Sequence, residues 1–370
     1  MSIEREFVGL TSPTAGRAGA GGHPCQGVYH RPSGASPTTA FIATHYNVDF
    51  SEHYLAAYMA ERGYGFLGWN TRFRGNEAYF LADQALVDIG VGVRWLREVA
   101  GVERVVLLGN SGGGSLMALY QSQAVSPSMT APPGLKVAEA VRDLLPGDLY
   151  VSVASHPGRP EVLTAWMDPS VTDEHDPIGT DADLDMYDDR HGPPYKVDFI
   201  ARYRAAQIER NRRISAWCHS ELGRLASYGL TDRLFVVRRT WADLRFVDGA
   251  IDPSKRTVLL CYAGDPQRAN SSVFGIGAVN TLRTWLSMWS LDDSPCSAAK
   301  HLPMITLPGL VVQADSDTGV FPSDAAGIHN GLGSSDKQIL TLEGDHYFLN
   351  PGNARDNLAD TIAAWVTERT

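Results

Sequence analysis

The chain has 370 residues, 44% of them hydrophobic and 20% charged, which is enough apolar material for one large domain or a domain with a sizeable insertion. A formal net charge of -10, without any basic block, argues against nucleic acid as a partner. No stretch approaches the roughly 18 apolar residues of a membrane span, and Met1-Ser2-Ile3-Glu4-Arg5-Glu6 lacks the apolar core of a signal peptide, so a cytoplasmic protein is expected.

In chain order, residues 6–10 and 25–30 read as two leading strands joined by a Gly/Ala-rich loop near residue 20. A buried strand is expected over 40–45, running into the loop Tyr46-Asn47-Val48-Asp49-Phe50. An amphipathic helix follows to Arg62 and stops at Gly63, then a strand over 65–70 and a helix over 81–99. The β-branched run over 102–108 predicts a strand, and 115–121 a helix. After the strand at 149–156 the alternation breaks. From 157 to 303 the chain is rich in Asp, Pro, Arg and Trp, with helices expected near 199–225 and 279–291. Alternation returns with a strand at 309, a helix over 322–330, a strand over 338–342 and a closing helix over 354–367. Strands alternating with helices predict a mostly parallel α/β sheet, whose chemistry sits at the carboxyl ends of its strands.

One such end reads Gly109-Asn110-Ser111-Gly112-Gly113. This G-x-S-x-G pentad lies between a strand and a helix, the context in which a serine hydroxyl stands clear of a sheet. Side chains at 109 and 113 would collide with neighbouring backbone. The helix beginning just after Ser111 would turn free N–H groups and a positive dipole end towards an oxyanion. A general base is needed within reach of the hydroxyl. His346, just past the last strand in Gly344-Asp345-His346-Tyr347, fills that role. Its orienting acid is expected on the loop after the preceding strand, where Asp317 is favoured over Asp315.

With Ser111, Asp317 and His346 in this order, the chain resembles the serine hydrolases of the α/β-hydrolase fold. The resemblance covers about 36–156 and 304–370. It implies an α/β-hydrolase core domain over 1–156 and 304–370, with a mainly helical cap over 157–303, inserted between strands six and seven of the sheet. It also implies an oxyanion hole made of two backbone N–H groups, one from Gly112. The other comes from the loop after His45, where the family often has His-Gly and this chain has Tyr46 and Asn47; either can be the donor. A serine nucleophile disfavours the dehalogenase and epoxide-hydrolase branches.

His45, Arg72 and Asn110 are placed to line the substrate pocket, Arg72 and Arg74 standing where an anionic group could meet them. Asp181, Asp183 and Asp185 form a D-x-D-x-D run without the glycine and closing glutamate of a calcium loop. No metal and no cofactor is expected. Cys25, Cys218, Cys261 and Cys296 form no C-x-x-C pair and read as free thiols, two disulfides being the alternative. The reading is a serine hydrolase acting on a carboxylic ester of a moderately bulky, hydrophobic or aromatic substrate. Carbon–carbon bond hydrolysis of a ring-cleavage diketone, or acyl transfer, would use the same triad, and a non-catalytic ligand-binding protein on this scaffold is the remote alternative. The partners expected are a small-molecule ester, no nucleic acid and no membrane, with homo-oligomerisation left open.

Overall fold

Strands β1 (Ile3–Leu10) and β2 (Cys25–Pro32) pair antiparallel at one edge of the sheet. The computed structural model describes residues 2–14 and 24–370, so the Gly/Ala-rich loop near residue 20 lies outside the described residues. Next come β3 (Thr39–Ala43), α1 (Ala56–Glu61), β4 (Gly65–Asn70), α2 (Ala82–Glu98), β5 (Arg104–Ser111), α3 (Gly113–Val125) and β6 (Leu149–Ser155). The long segment that follows holds α4 (Arg159–Trp166), α5 (Val197–Ala226), β7 (Leu234–Val236), α6 (Pro266–Asn270), β8 (Val279–Thr281) and a single turn, α7 (Leu282–Thr284). The chain then closes with β9 (Gly309–Ala314), α8 (Pro322–Gly331), β10 (Lys337–Leu342) and α9 (Ala354–Thr367).

The eight-stranded sheet runs β1-β2-β4-β3-β5-β6-β9-β10. Its pairings from β4 to β10 are all parallel, and β2 runs against both its neighbours. Each central strand is buried on both faces, which is why its sequence reads as a continuous apolar run. Alternation decides which layer each side chain joins. Ile42, Val105, Leu107, Tyr150 and Val311 pack with α2 and α3 on one face. Phe41, Ala43, Val106, Leu108, Val151 and Val312 pack with α1 and α9 on the other. The two helical layers hold the sheet so that the loops after β3, β5, β6, β9 and β10 gather along one rim.

The stretch 279–291 departs from the expected helix. Val279-Asn280-Thr281 pairs antiparallel with β7, and the Thr281 hydroxyl caps the turn that follows by accepting the N–H of Thr284 at 3.0 Å. The chain then widens into a π-turn over Trp285–Trp289. Two fully buried indoles lie there, and Trp285 Nε1 donates to Ser215 Oγ at 2.9 Å. Residues 282–289 are thus helical, while the first three residues of the expected helix form a strand. The segment 157–303 owes its helical character chiefly to the 30-residue α5, with long irregular runs between its other elements. All four cysteines are free and buried. Among the described residues, no helix is long and apolar enough to cross a membrane.

Candidate active site

Ser111 ends β5 with φ at 55°, a left-handed conformation that costs a non-glycine residue of order 1–3 kcal/mol and persists only where its surroundings enforce it. Those surroundings are close backbone contacts. A Cβ on Gly109 would lie 2.4 Å from the Cα of Gly114, and one on Gly113 would lie 2.3 Å from the Thr44 carbonyl oxygen. The pairing of β5 with β6 slips between Asn110 and Ser111, which turns the serine out of the ladder. Gly112 then leads into α3, whose first N–H groups have no intrahelical partner.

His346 lies beyond β10, and its Nδ1 donates to Asp317 Oδ2 at 2.6 Å. Both side chains are buried, His346 at 4% exposure and Asp317 at 1%. The other Asp317 oxygen accepts the N–H groups of Gly319 (2.9 Å) and Val320 (3.0 Å), which fix the carboxylate. His346 Nε2 is buried and has no hydrogen-bond partner among the described residues. Asp315 faces elsewhere. It accepts from Ser316 and from the Gly344 N–H and pairs with Lys255 at 2.8 Å, so it braces the turns after β9 and β10.

Of the two residues expected to complete an oxyanion hole with Gly112, Asn47 has its N–H turned towards His45 Nδ1 at 3.4 Å. The Tyr46 N–H has no such partner among the described residues and is the freer donor. The Tyr46 ring is fully buried, with its hydroxyl on Ser115 Oγ at 3.0 Å. His45 lies beside Gly112, its Nε2 2.8 Å from where a Gly112 Cβ would be. The other two residues expected to line the pocket are engaged in the framework. Asn110 donates to the Val153 carbonyl and meets His53 Nε2 at 3.2 Å. Arg72 is locked onto fully buried Asp88 at 2.7 Å and also donates to Ser12 and Thr14. It is a structural ion pair between α2 and the loop after β4. Arg74 pairs with exposed Asp49.

No family model and no curated protein matches the sequence. Solved structures do match. DcsB in complex with its substrate analogue is similar over 100% of both chains, at 13% identity and a TM-score of 0.50. The chain has the α/β-hydrolase fold. An esterase of Pyrococcus furiosus is also similar (11% identity, 99% of this chain and 91% of that one, TM-score 0.48). So is a monoacylglycerol lipase of Paleococcus ferrophilus (13% identity, 100% of both chains, TM-score 0.47).

Three residues at this rim of the α/β-hydrolase sheet escaped the sequence reading. Tyr262, from the segment between β6 and β9, donates to Asp317 Oδ1 at 3.1 Å and lies 2.8 Å from His346 Nδ1. Burial and the Asp317 carboxylate push its phenol well above the ordinary tyrosine value, so it remains a donor. His156 donates its N–H to the Ser111 carbonyl at 3.1 Å, and its ring sits 6.3 Å from that of His346. Burial, then the neighbouring His346 and Arg159, hold its imidazole well below the ordinary histidine value. Arg159, the first residue of α4, packs against Gly112. His156 and Arg159 had a legible signal, since both follow directly on the carboxyl end of β6. Tyr262 had none, because it comes from an irregular run.

Proposed function

We propose that the protein is a serine hydrolase of carboxylic esters, with Ser111 as nucleophile, His346 as general acid–base and Asp317 as the acid that orients it. One observation carries the reading: a serine strained to φ 55° shares its rim of the sheet with an imidazole clamped by a carboxylate at 2.6 Å, its second nitrogen buried and unpartnered among the described residues. That nitrogen is the one that must accept a hydroxyl proton.

In this reaction the Ser111 hydroxyl gives its proton to His346 Nε2 as its oxygen bonds to the ester carbonyl carbon. The carbonyl oxygen becomes an oxyanion, held by the N–H groups of Gly112 and Tyr46. The carbon–oxygen bond to the alcohol breaks, and His346 returns the proton to the departing alcohol oxygen. Water, deprotonated by His346, then attacks the acyl-enzyme, and the acid leaves as Ser111 recovers its proton. The imidazolium formed twice in the cycle is stabilised by Asp317.

The segment 157–303 serves as a cap over a core of 1–156 and 304–370. Its Tyr262 hydrogen-bonds to Asp317, and the Trp166 ring lies 5.8 Å from Tyr262 and 5.7 Å from His156. This aromatic wall suits a substrate with a hydrophobic or aromatic part. The test is hydrolysis of p-nitrophenyl butyrate by the protein and by Ser111→Ala. Turnover that falls by about 10⁴-fold or more in the variant is the expected result. Turnover that survives the substitution contradicts the proposal.

A further inference from the structure

Among the described residues, Arg159, Arg210 and Arg256 are the buried arginines. Arg210, like the part-buried Arg72 and Arg245, holds a carboxylate at 2.7 to 2.8 Å. Arg256 is surrounded instead by the carbonyls of Arg245, Asp248, Ile251 and Asp252. Arg159 is 5% exposed and has neither. The one hydrogen bond of its guanidinium among the described residues is long, from Nη2 to Asn47 Oδ1 at 3.4 Å, and its Nε is buried without a partner there. A guanidinium offers five N–H donors and stays charged, so a desolvated one with its donors idle is costly unless an anion joins it.

The surroundings hold this guanidinium in place without neutralising it. Its carbon sits 4.7 Å from the centre of the Tyr46 ring and 5.4 Å from that of Trp289, which fixes its plane. Glu77 is the carboxylate that acts on it, but at one remove. One Glu77 oxygen accepts from Asn47 Nδ2 at 3.0 Å and the other from the Gly277 N–H at 3.0 Å. Asn47 therefore stands between the two charges. Its amide takes Glu77 on one side and steadies Arg159 on the other.

The guanidinium is also beside the chemistry. A Cβ added to Gly112, the residue after Ser111, would meet Arg159 Cζ at 3.0 Å and His45 Nε2 at 2.8 Å. His45 Nδ1 accepts the N–H groups of Val48 (3.2 Å) and Asn47 (3.4 Å), which puts the ring proton on Nε2. Two donors thus converge on Gly112, the next residue in the chain after Ser111. We infer that Arg159 and His45 form a carboxylate-binding subsite, and that the ester this site cleaves carries a carboxylate close to its scissile carbonyl, as in the hemi-ester of a short dicarboxylic acid. A carboxylate matches the planar fork of a guanidinium, which suits two parallel hydrogen bonds. The inference rests on the ester-hydrolase reading and adds a substrate class to it.

The test compares monobenzyl glutarate with benzyl pentanoate, two esters of equal acyl length that differ in the terminal carboxylate. The wild-type protein should prefer the glutarate by about 100-fold in kcat/KM, and Arg159→Gln should collapse that ratio, with Arg159→Lys recovering part of it. Should Arg159→Gln fail to fold, the wild type supplies the same answer. Glutarate should slow fluorophosphonate labelling of Ser111 at concentrations where pentanoate does not. Equal turnover of both esters by the wild type overturns the subsite and leaves the hydrolase reading intact. An equal loss on both esters in Arg159→Gln also overturns it, and assigns the guanidinium to the oxyanion instead. Failure to hydrolyse either ester, with no labelling of Ser111, removes the hydrolase reading itself.

Discussion

Asp317 and Asp315 differ by two residues and belong to different parts of the architecture. Asp317 holds His346 at 2.6 Å, and Asp315 is tied to Lys255 and the Gly344 N–H. Asp317→Asn should therefore lower kcat on an ester by about 10⁴-fold, because the amide favours the wrong imidazole tautomer. Asp315→Asn should cost less than about tenfold, a turn contact being all it removes. Equal losses in steady-state assays would contradict the assignment. Tyr262 acts through the same pair. Tyr262→Phe removes a hydrogen bond to a charged group and should lower kcat about tenfold with KM nearly kept. A rise in KM with kcat unchanged would place the ring against substrate rather than behind His346. At this scale the sequence was most legible where chemistry and turn geometry coincide. Ser111 and His346 stand at strand ends with glycines before them, and the structure brings Asp317 to His346. Arg72 and Arg159 show the opposite. Both follow strands and look alike on paper, yet only tertiary placement gives one a buried aspartate and the other an idle fork.

Elements show why boundaries were readable in the core and not in the insert. Strands β3 to β6 and β9 are covered on both faces, so each apolar run had one interpretation. In 279–291 the apolar spacing was right for a helix over 282–289, but Thr281 ends a strand and caps a turn, and Trp285–Trp289 wind as a π-turn with both indoles buried. Nothing local announces such packing. The ion pair of Arg72 with Asp88 is the element-scale counterpart of the pocket residue expected from sequence. Asp88 is 0% exposed on α2, so Arg72→Met strands a buried carboxylate and should destabilise the protein by about 3 kcal/mol in urea unfolding. A change within about 0.5 kcal/mol, the range of a surface arginine, would contradict this.

The whole molecule carries a formal charge of -10, yet the rim around Ser111 gathers His45, His156, His346 and Arg159. Burial holds five imidazoles below the ordinary histidine value: His30 and His301; His45, which faces Arg159, His346 and His53; His156, which faces His346, Arg159 and Arg245; and His53, pushed down to about 3. Well above the ordinary histidine value of about 6.5 these rings are neutral in both states, and stability does not depend on them. Below it the unfolded chain takes up protons that the folded one refuses, so stability falls by up to about 1.4 kcal/mol per pH unit for each histidine. The urea midpoint should hold steady between about pH 7 and 8 and drop clearly by about pH 5.5. A midpoint that is the same at both ends would mean that these rings protonate without cost in the fold.

The most direct test of the central claim is fluorophosphonate labelling followed by peptide mapping, run on the wild type and on Ser111→Ala. One labelled peptide, carrying Ser111, is expected in the wild type, and no label in the variant. Wild-type protein that takes no label, or takes it at another residue, would contradict the claim.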